Sequence, residues 1–249
     1  MGVKASLCEC TAQASELDAN SVSESPDSKT PGEMHPFNGK NLDGWLAEGD
    51  ATVKSGPNKG KPIWSVRDGM IRCEGNGGFG FLRYTPRDFA NFEWELEYQF
   101  DVPVIPPESK PGTKPKVGNS GVGIRTGAFD SKKSWETRPS VASYEIQLLD
   151  DAGTPPSPTG SISLYRFVAP KENAVKPSPE WNNLRIRCDG PLIEIQVNGK
   201  KVLQFDQTTD PKLKDKPLKG FICLQNHSSG ITFRNLKVRD ITPLPPNGN

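Results

Sequence analysis

The chain reads as an all-β protein, a sandwich of two antiparallel sheets, on three observations. Short runs rich in Val, Ile, Phe, Trp and Tyr recur between clusters of Gly, Pro, Asn and Asp. Long helical patterns are missing. No internal repeat of roughly 20 to 50 residues is visible, which disfavours solenoids and propellers.

The runs predict strands at Ile63–Val66, Met70–Cys73, Phe92–Val102, Gly121–Arg125, Tyr144–Leu149, Ile162–Tyr165, Asn183–Cys188, Leu192–Val197, Gly220–Gln225 and Ile231–Arg239. Phe92–Phe100 alternates strictly, with Phe, Trp, Leu, Tyr and Phe on one face and Glu93, Glu95, Glu97 and Gln99 on the other. The acidic face is expected to be plain solvent surface. Asn198-Gly199 supplies two positive-φ positions for a type I′ hairpin, so two strands pair there. The proline-rich stretch 103–117 cannot enter a sheet interior and is expected as a surface loop, as is 126–142. Both flank the Asn119–Arg125 strand and are placed to wall a site.

With 249 residues, 33% hydrophobic, the chain suits one β-rich domain over 35–242, a Ser-, Ala- and acid-rich leader over 1–34 and a short tail over 243–249. The leader lacks the apolar core of a signal peptide. A net charge of +1 without a basic run interleaved with aromatics implies no nucleic-acid partner. No apolar stretch is long enough to span a membrane. The five cysteines, Cys8, Cys10, Cys73, Cys188 and Cys223, lack zinc-site spacing. The last three lie in strand-like context and read as small buried hydrophobes, a disulfide between two of them remaining open.

The candidate chemistry centres on Tyr144–Asp150. Tyr144, Ile146 and Leu148 share one face of a strand; Glu145, Gln147 and Leu149 share the other, so the carboxylate faces either solvent or a polar groove. In Asn119–Arg125 the residues Gly121, Gly123 and Arg125 share a face. Two strand glycines mark either a bulge or the close approach of a ligand or another backbone. Arg125 would then either present its donors over the cleared space or form a salt bridge with Glu145.

Several motifs together resemble the 3-keto-disaccharide hydrolase family, whose members are also described as 3-keto-glucoside 1,2-lyases and 3-keto-2-hydroxyglucal hydratases. They are Pro36–Trp45, Asn119-Ser120-Gly121, Tyr144-Glu145-Ile146-Gln147, Thr159–Ile162, Glu180-Trp181-Asn182, the Asn198-Gly199 turn, Gln225-Asn226-His227 and Ile231–Asn235. The resemblance covers roughly Pro36 to Ile241 and implies a concanavalin-like jelly roll with a sugar bound on one sheet. It also implies a small carbohydrate substrate, a separate dehydrogenase upstream to make the 3-keto group, and an extracytoplasmic setting.

Ordinary glycoside hydrolysis uses two carboxylates, and this chain offers no such pair. Glu145–Asp150 is similar to the Glu-x-Asp-x-x-Glu strand of laminarinase-like jelly rolls, with Gln147 at the middle acid and Asp150 at the last. A 3-keto sugar needs only one base: the ketone acidifies the C2 hydrogen, and its removal expels the C1 substituent. Glu145 is the expected base, with Gln147 and Arg125 donating to the sugar or the developing enolate. His227, one of two histidines, would protonate the leaving oxygen, direct water, or join Glu145 in holding a divalent cation. Asp150 is a further cation candidate, against a turn role. Asn119 and Tyr165 are expected substrate contacts, and Trp181 a core residue or stacking ring. A noncatalytic carbohydrate-binding module and an ordinary glycosidase stay open as alternatives.

Overall fold

In the computed structural model, residues 32–75, 78–103, 105, 110, 112 and 117–241 are described. The leader up to residue 31, the tail from residue 242 and most of the proline-rich loop lie outside them. The described strands, in chain order, are β1 (Glu33–Met34), β2 (Trp45–Gly49), β3 (Trp64–Arg67), β4 (Met70–Cys73), β5 (Gly80–Tyr84), β6 (Phe92–Phe100) and β7 (Asn119–Thr126). They continue with β8 (Tyr144–Leu149), β9 (Asn182–Asp189), β10 (Leu192–Val197), β11 (Lys200–Asp206), β12 (Phe221–Asn226) and β13 (Ile231–Asp240). Two short helices, α1 (Ser134–Thr137) and α2 (Pro139–Ala142), sit between β7 and β8.

Every ladder is antiparallel, and the strands form the two sheets of a jelly-roll sandwich. One sheet runs β11-β10-β9-β6-β13-β4-β3, with β1 also paired to β13; the other runs β2-β5-β12-β7-β8. The period-2 pattern decides what lies between them. Trp94, Leu96 and Tyr98 of β6, Ile186 of β9 and Phe233 of β13 join Val122 and Ile124 of β7, Tyr144, Ile146 and Leu148 of β8 and Leu224 of β12 in one buried cluster. The Asn198-Gly199 turn has φ of 51° and 79°, as a type I′ hairpin requires.

Where the pattern was incomplete, the structure departs from expectation. Strands β2 and β5 were not anticipated, because β5 is buried on both faces and so shows no alternation. The domain also begins earlier than residue 35, with Glu33 and Met34 paired to Arg239 and Val238. Ile162–Tyr165 is a turn rather than a strand. Ile162 has φ of 63°, and the segment meets β8 through the Ile162 N–H on the Gln147 carbonyl and the Gln147 N–H on the Ser163 carbonyl. The 126–142 connection is not an open loop but carries α1 and α2. Cys73, Cys188 and Cys223 are buried free thiols, and burial pushes the Cys188 thiol up to about 11. Among the described residues, no helix is long and apolar enough to cross a membrane.

Candidate active site

The outer face of the five-stranded sheet carries a pocket, and sequence register builds most of it. Because Ile146 and Leu148 turn inward, Glu145 and Gln147 project outward on β8; Gln225 projects from β12, and His227 follows it. The connection after β7 is held over this face by an edge-to-face aromatic cluster, in which Phe129 packs on Phe81 at 5.0 Å and on Phe79 at 5.6 Å. Arg138 precedes Pro139 and is therefore extended (φ −66°, ψ 144°), which breaks the chain between α1 and α2. Arg138, Ser140, Tyr165, Arg166, Asn119 and Phe79 complete the lining of the resulting small pocket.

The two strand glycines make room for protein rather than for ligand. A Cβ on Gly121 would lie 3.2 Å from Glu145 Cγ, and one on Gly123 would meet Cys223 Sγ at 2.5 Å and Pro139 Cγ at 3.1 Å. Gly121 thus lets the Glu145 side chain lie across β7, and Gly123 lets α2 settle on the sheet.

Glu145 is buried, and its Oε1 accepts a hydrogen bond from Gln225 Nε2 at 2.8 Å. Burial drives its carboxyl above the usual carboxylate range, against the lowering pull of bonds from Gln225 and Ser140 and of the charges on Arg138 and Arg166. His227 shifts the other way: burial, reinforced by Arg138, lowers it and favours the neutral imidazole. Its ring stands edge-on to Phe79 at 5.9 Å. Gln147 Nε2 reaches Asn119 Oδ1 at 3.4 Å. Gln147 Oε1, Gln225 Oε1 and His227 Nδ1 are buried without a hydrogen-bond partner. Three unpartnered polar atoms on residues lining one pocket are costly unless a ligand satisfies them.

Glu145, Gln147, Asn119, Tyr165 and His227, singled out in the sequence, therefore meet in one pocket. Arg125 does not, which corrects its expected place opposite Glu145. Between Gly123 and Thr126 the strand spends three steps against two on β12, since Cys223 pairs with Gly123 and Phe221 with Thr126. This bulge puts Arg125 at φ 54°. Its guanidinium instead donates to the Ala90 carbonyl at 2.8 Å and the Gly190 carbonyl at 2.7 Å.

Asp150 is likewise outside the pocket, its carboxylate accepting from Ser178 N and Oγ at 2.9 and 2.5 Å. The carboxylate thus ties the end of β8 to the distant Ser178, a long-range clasp rather than the local turn or the cation site expected. Trp181 lies on the other sheet under the Arg234 guanidinium, 3.8 Å from its ring centre. Among the described residues no group of three or more His, Cys, Asp or Glu side chains is placed to hold a metal; the pocket itself contributes Glu145 and His227. Phe79, Arg138, Ser140 and Arg166 carried no signal in the sequence, whereas Gln225 did, as the first residue of Gln225-Asn226-His227.

Fold and pocket together define a lectin-like jelly roll with a polar, carboxylate-bearing site on one sheet. The family comparison is more specific: a model of the 3-keto-alpha-glucoside-1,2-lyase-like domain matches residues 33–239, and the chain belongs to that family. A protein of Bacteroides thetaiotaomicron named 3-keto-disaccharide hydrolase is 27% identical over 243 residues, covering 82% of this chain and 76% of its own. Two crystal structures from Parabacteroides distasonis, of proteins assigned as glycosyl hydrolases, superpose with TM-scores of 0.62 and 0.59. They are 22% and 26% identical and cover 85% and 84% of this chain, and 94% and 99% of theirs.

Proposed function

We propose that this protein cleaves 3-keto-glycosides. Glu145 removes the proton on C2, the electron pair forms the C1–C2 double bond, and the C1–O bond breaks to release the leaving alcohol. Water added to the resulting 3-keto-2-hydroxyglucal completes a net hydrolysis. The observation that carries this reading is that, among the described residues, the pocket holds one carboxylate, buried and pushed above the usual carboxylate range by that burial. Double displacement or inversion at an unoxidised glycoside needs a second carboxylate, and among the described residues none lines the pocket. Elimination next to a ketone needs one base and donors for the enolate. Arg138 and Arg166 take the donor role first expected of Arg125, and the leaving oxygen receives the C2 proton that Glu145 has taken up, with neutral His227 as the relay. Family membership and the name of the Bacteroides relative point to the same hydrolase chemistry.

A 3-keto-glucoside incubated with the protein beside its unoxidised parent, with and without a chelator, tests the proposal, the freed alcohol being followed by mass spectrometry. Release from the keto sugar alone is expected. Cleavage of the unoxidised parent would establish an ordinary glycosidase, and binding without release would leave a carbohydrate-binding module. Loss with chelator would show a divalent-cation requirement, with Glu145 and His227 the candidate ligands. A separate dehydrogenase supplying the ketone, and a setting outside the cytoplasm, belong to the same proposal.

A further inference from the structure

Trp135, in the connection between β7 and β8, is the most exposed large apolar side chain among the described residues, at 63%. It is not loose. The Arg138 guanidinium lies 4.2 Å from its ring centre and that of Arg166 lies 5.5 Å from it. The same Arg138 lies 4.8 Å from the Phe79 ring, and the same Arg166 lies 5.3 Å from the Tyr165 ring. The result is one ladder, Phe79–Arg138–Trp135–Arg166–Tyr165, in which every member except Trp135 lines the pocket.

Two features show that the ladder is constructed. Arg138 is pinned by its own hydrogen bonds to Ser134, 2.9 Å to the carbonyl and 2.5 Å to Oγ. Arg166 adopts φ of 73°, a left-handed conformation that a non-glycine residue holds only at a cost. Among the described residues neither arginine forms an ion pair with a carboxylate, so their fixed placement serves the aromatic rings and the pocket rather than a salt bridge. A second hollow, lined by Val141, Phe167 and Lys216, shares Ser140 and Arg166 with the pocket. A substrate longer than one ring therefore has space to continue past Arg166.

We infer that Trp135 is the stacking platform for the leaving group, and that this group is a six-membered ring with a flat apolar face rather than a linear alkyl chain. The inference rests on the 3-keto-glycoside reading and names the part of the substrate that the ketone chemistry does not touch. A pyranose and an aromatic aglycone share the required face, since both stack on an indole through C–H or π contacts. The two arginines beside it hold the indole in place, leave it 63% exposed, and add donors for the ring's oxygens.

The test compares 3-keto-glucosides whose leaving groups are ethyl, benzyl and glucosyl, on the full chain and on its Trp135→Ala and Trp135→Phe variants. Wild type is expected to prefer the ring substrates. In Trp135→Ala the benzyl-to-ethyl or glucosyl-to-ethyl ratio of kcat/KM should fall by about tenfold, chiefly through KM, and Trp135→Phe should restore most of it. A fall confined to benzyl identifies an aryl aglycone; one confined to glucosyl identifies a disaccharide. Equal losses on all three substrates, or unchanged ratios, would overturn the inference. A readout independent of turnover is acrylamide quenching of the accessible indole, taken as the difference between wild type and Trp135→Phe. Unoxidised benzyl glucoside or a glucosyl disaccharide should shield it, and absence of shielding by either would also overturn the assignment. If no 3-keto-glycoside is cleaved, the reaction assignment fails on its own and quenching alone decides the platform.

Discussion

Glu93 and Glu145 occupy matching places, each an outward-facing carboxylate in an alternating strand and each buried in the finished protein. Their surroundings are opposite. Around Glu93 burial raises the carboxyl's pKa, but bonds from Arg239, Arg185 and Arg187 outweigh it and hold the group at about 2. Around Glu145 burial prevails, because an amide and a hydroxyl replace the direct ion pairs. Cross-strand arginines turn a buried acid into a structural element, and neutral donors keep one available as a base. The expectation that the acidic face of β6 is plain solvent surface was incomplete for this reason: Glu93 sits under three guanidiniums, and Glu97 pairs with Arg234 at 2.6 Å.

Substitution at the two glutamates should separate these roles. Glu145→Gln should lower kcat on a 3-keto-glycoside by about a thousandfold while leaving the thermal midpoint unchanged or raising it by a few degrees. The amide keeps the shape and removes a poorly compensated charge, and a large loss of stability would instead make Glu145 structural. Glu93→Gln should do the reverse and cost about 2 kcal/mol, read as a lower midpoint, with turnover retained. The figure is below the roughly 3–5 kcal/mol of an enclosed pair, because the three arginine side chains remain 28–40% exposed. Arg125→Met tests the bulge. It should destabilise by a similar amount, about 2 kcal/mol, since the Ala90 and Gly190 carbonyls lose a charged donor, yet leave kcat/KM within about twofold where the protein is folded. A selective rise in KM would return Arg125 to the site.

The smallest effect is the most diagnostic, because the signs differ. The Glu93 carboxyl is depressed from its ordinary 4.5, so its stabilisation is complete above 4.5 and is lost as pH falls from 4.5 toward 2. Glu145 is raised, so the folded state binds more protons than the unfolded one above 4.5 and its contribution weakens as pH rises through that window. Denaturant midpoints measured between about pH 3 and 7 should therefore lose their acid-side decline in Glu93→Gln and gain stability toward neutrality in Glu145→Gln. The alkaline-going rise of kcat/KM should also lie above 4.5, where Glu145 becomes ionised.

The extent to which the site could be read beforehand follows from the range of each constraint. Glu145 and Gln147 were legible because the apolar partners Ile146 and Leu148 dictate which face they occupy. The motif Gln225-Asn226-His227 lies at the end of an equally legible strand. Arg125 was misplaced because one bulge reverses a side chain: Gly121 and Gly123 left a bulge open as one reading, but nothing local fixes where the extra residue falls. Arg138, Ser140, Arg166 and Trp135 were invisible because they come from irregular segments whose positions are set by Phe129, Gly123 and the turn at 160–168, not by any period of their own.

Alternation along the chain was enough to establish the sandwich, the inward and outward faces of β6 and β8, the Asn198-Gly199 hairpin and a lone carboxylate without an acidic partner. Folding alone decided that this carboxylate would be sheltered from the arginines that neutralise Glu93, and that a tryptophan and two arginines from distant connections would gather beside it. Side-chain alternation is a local property of the backbone, whereas the electrostatic character of a buried acid depends on groups that only long-range packing brings near.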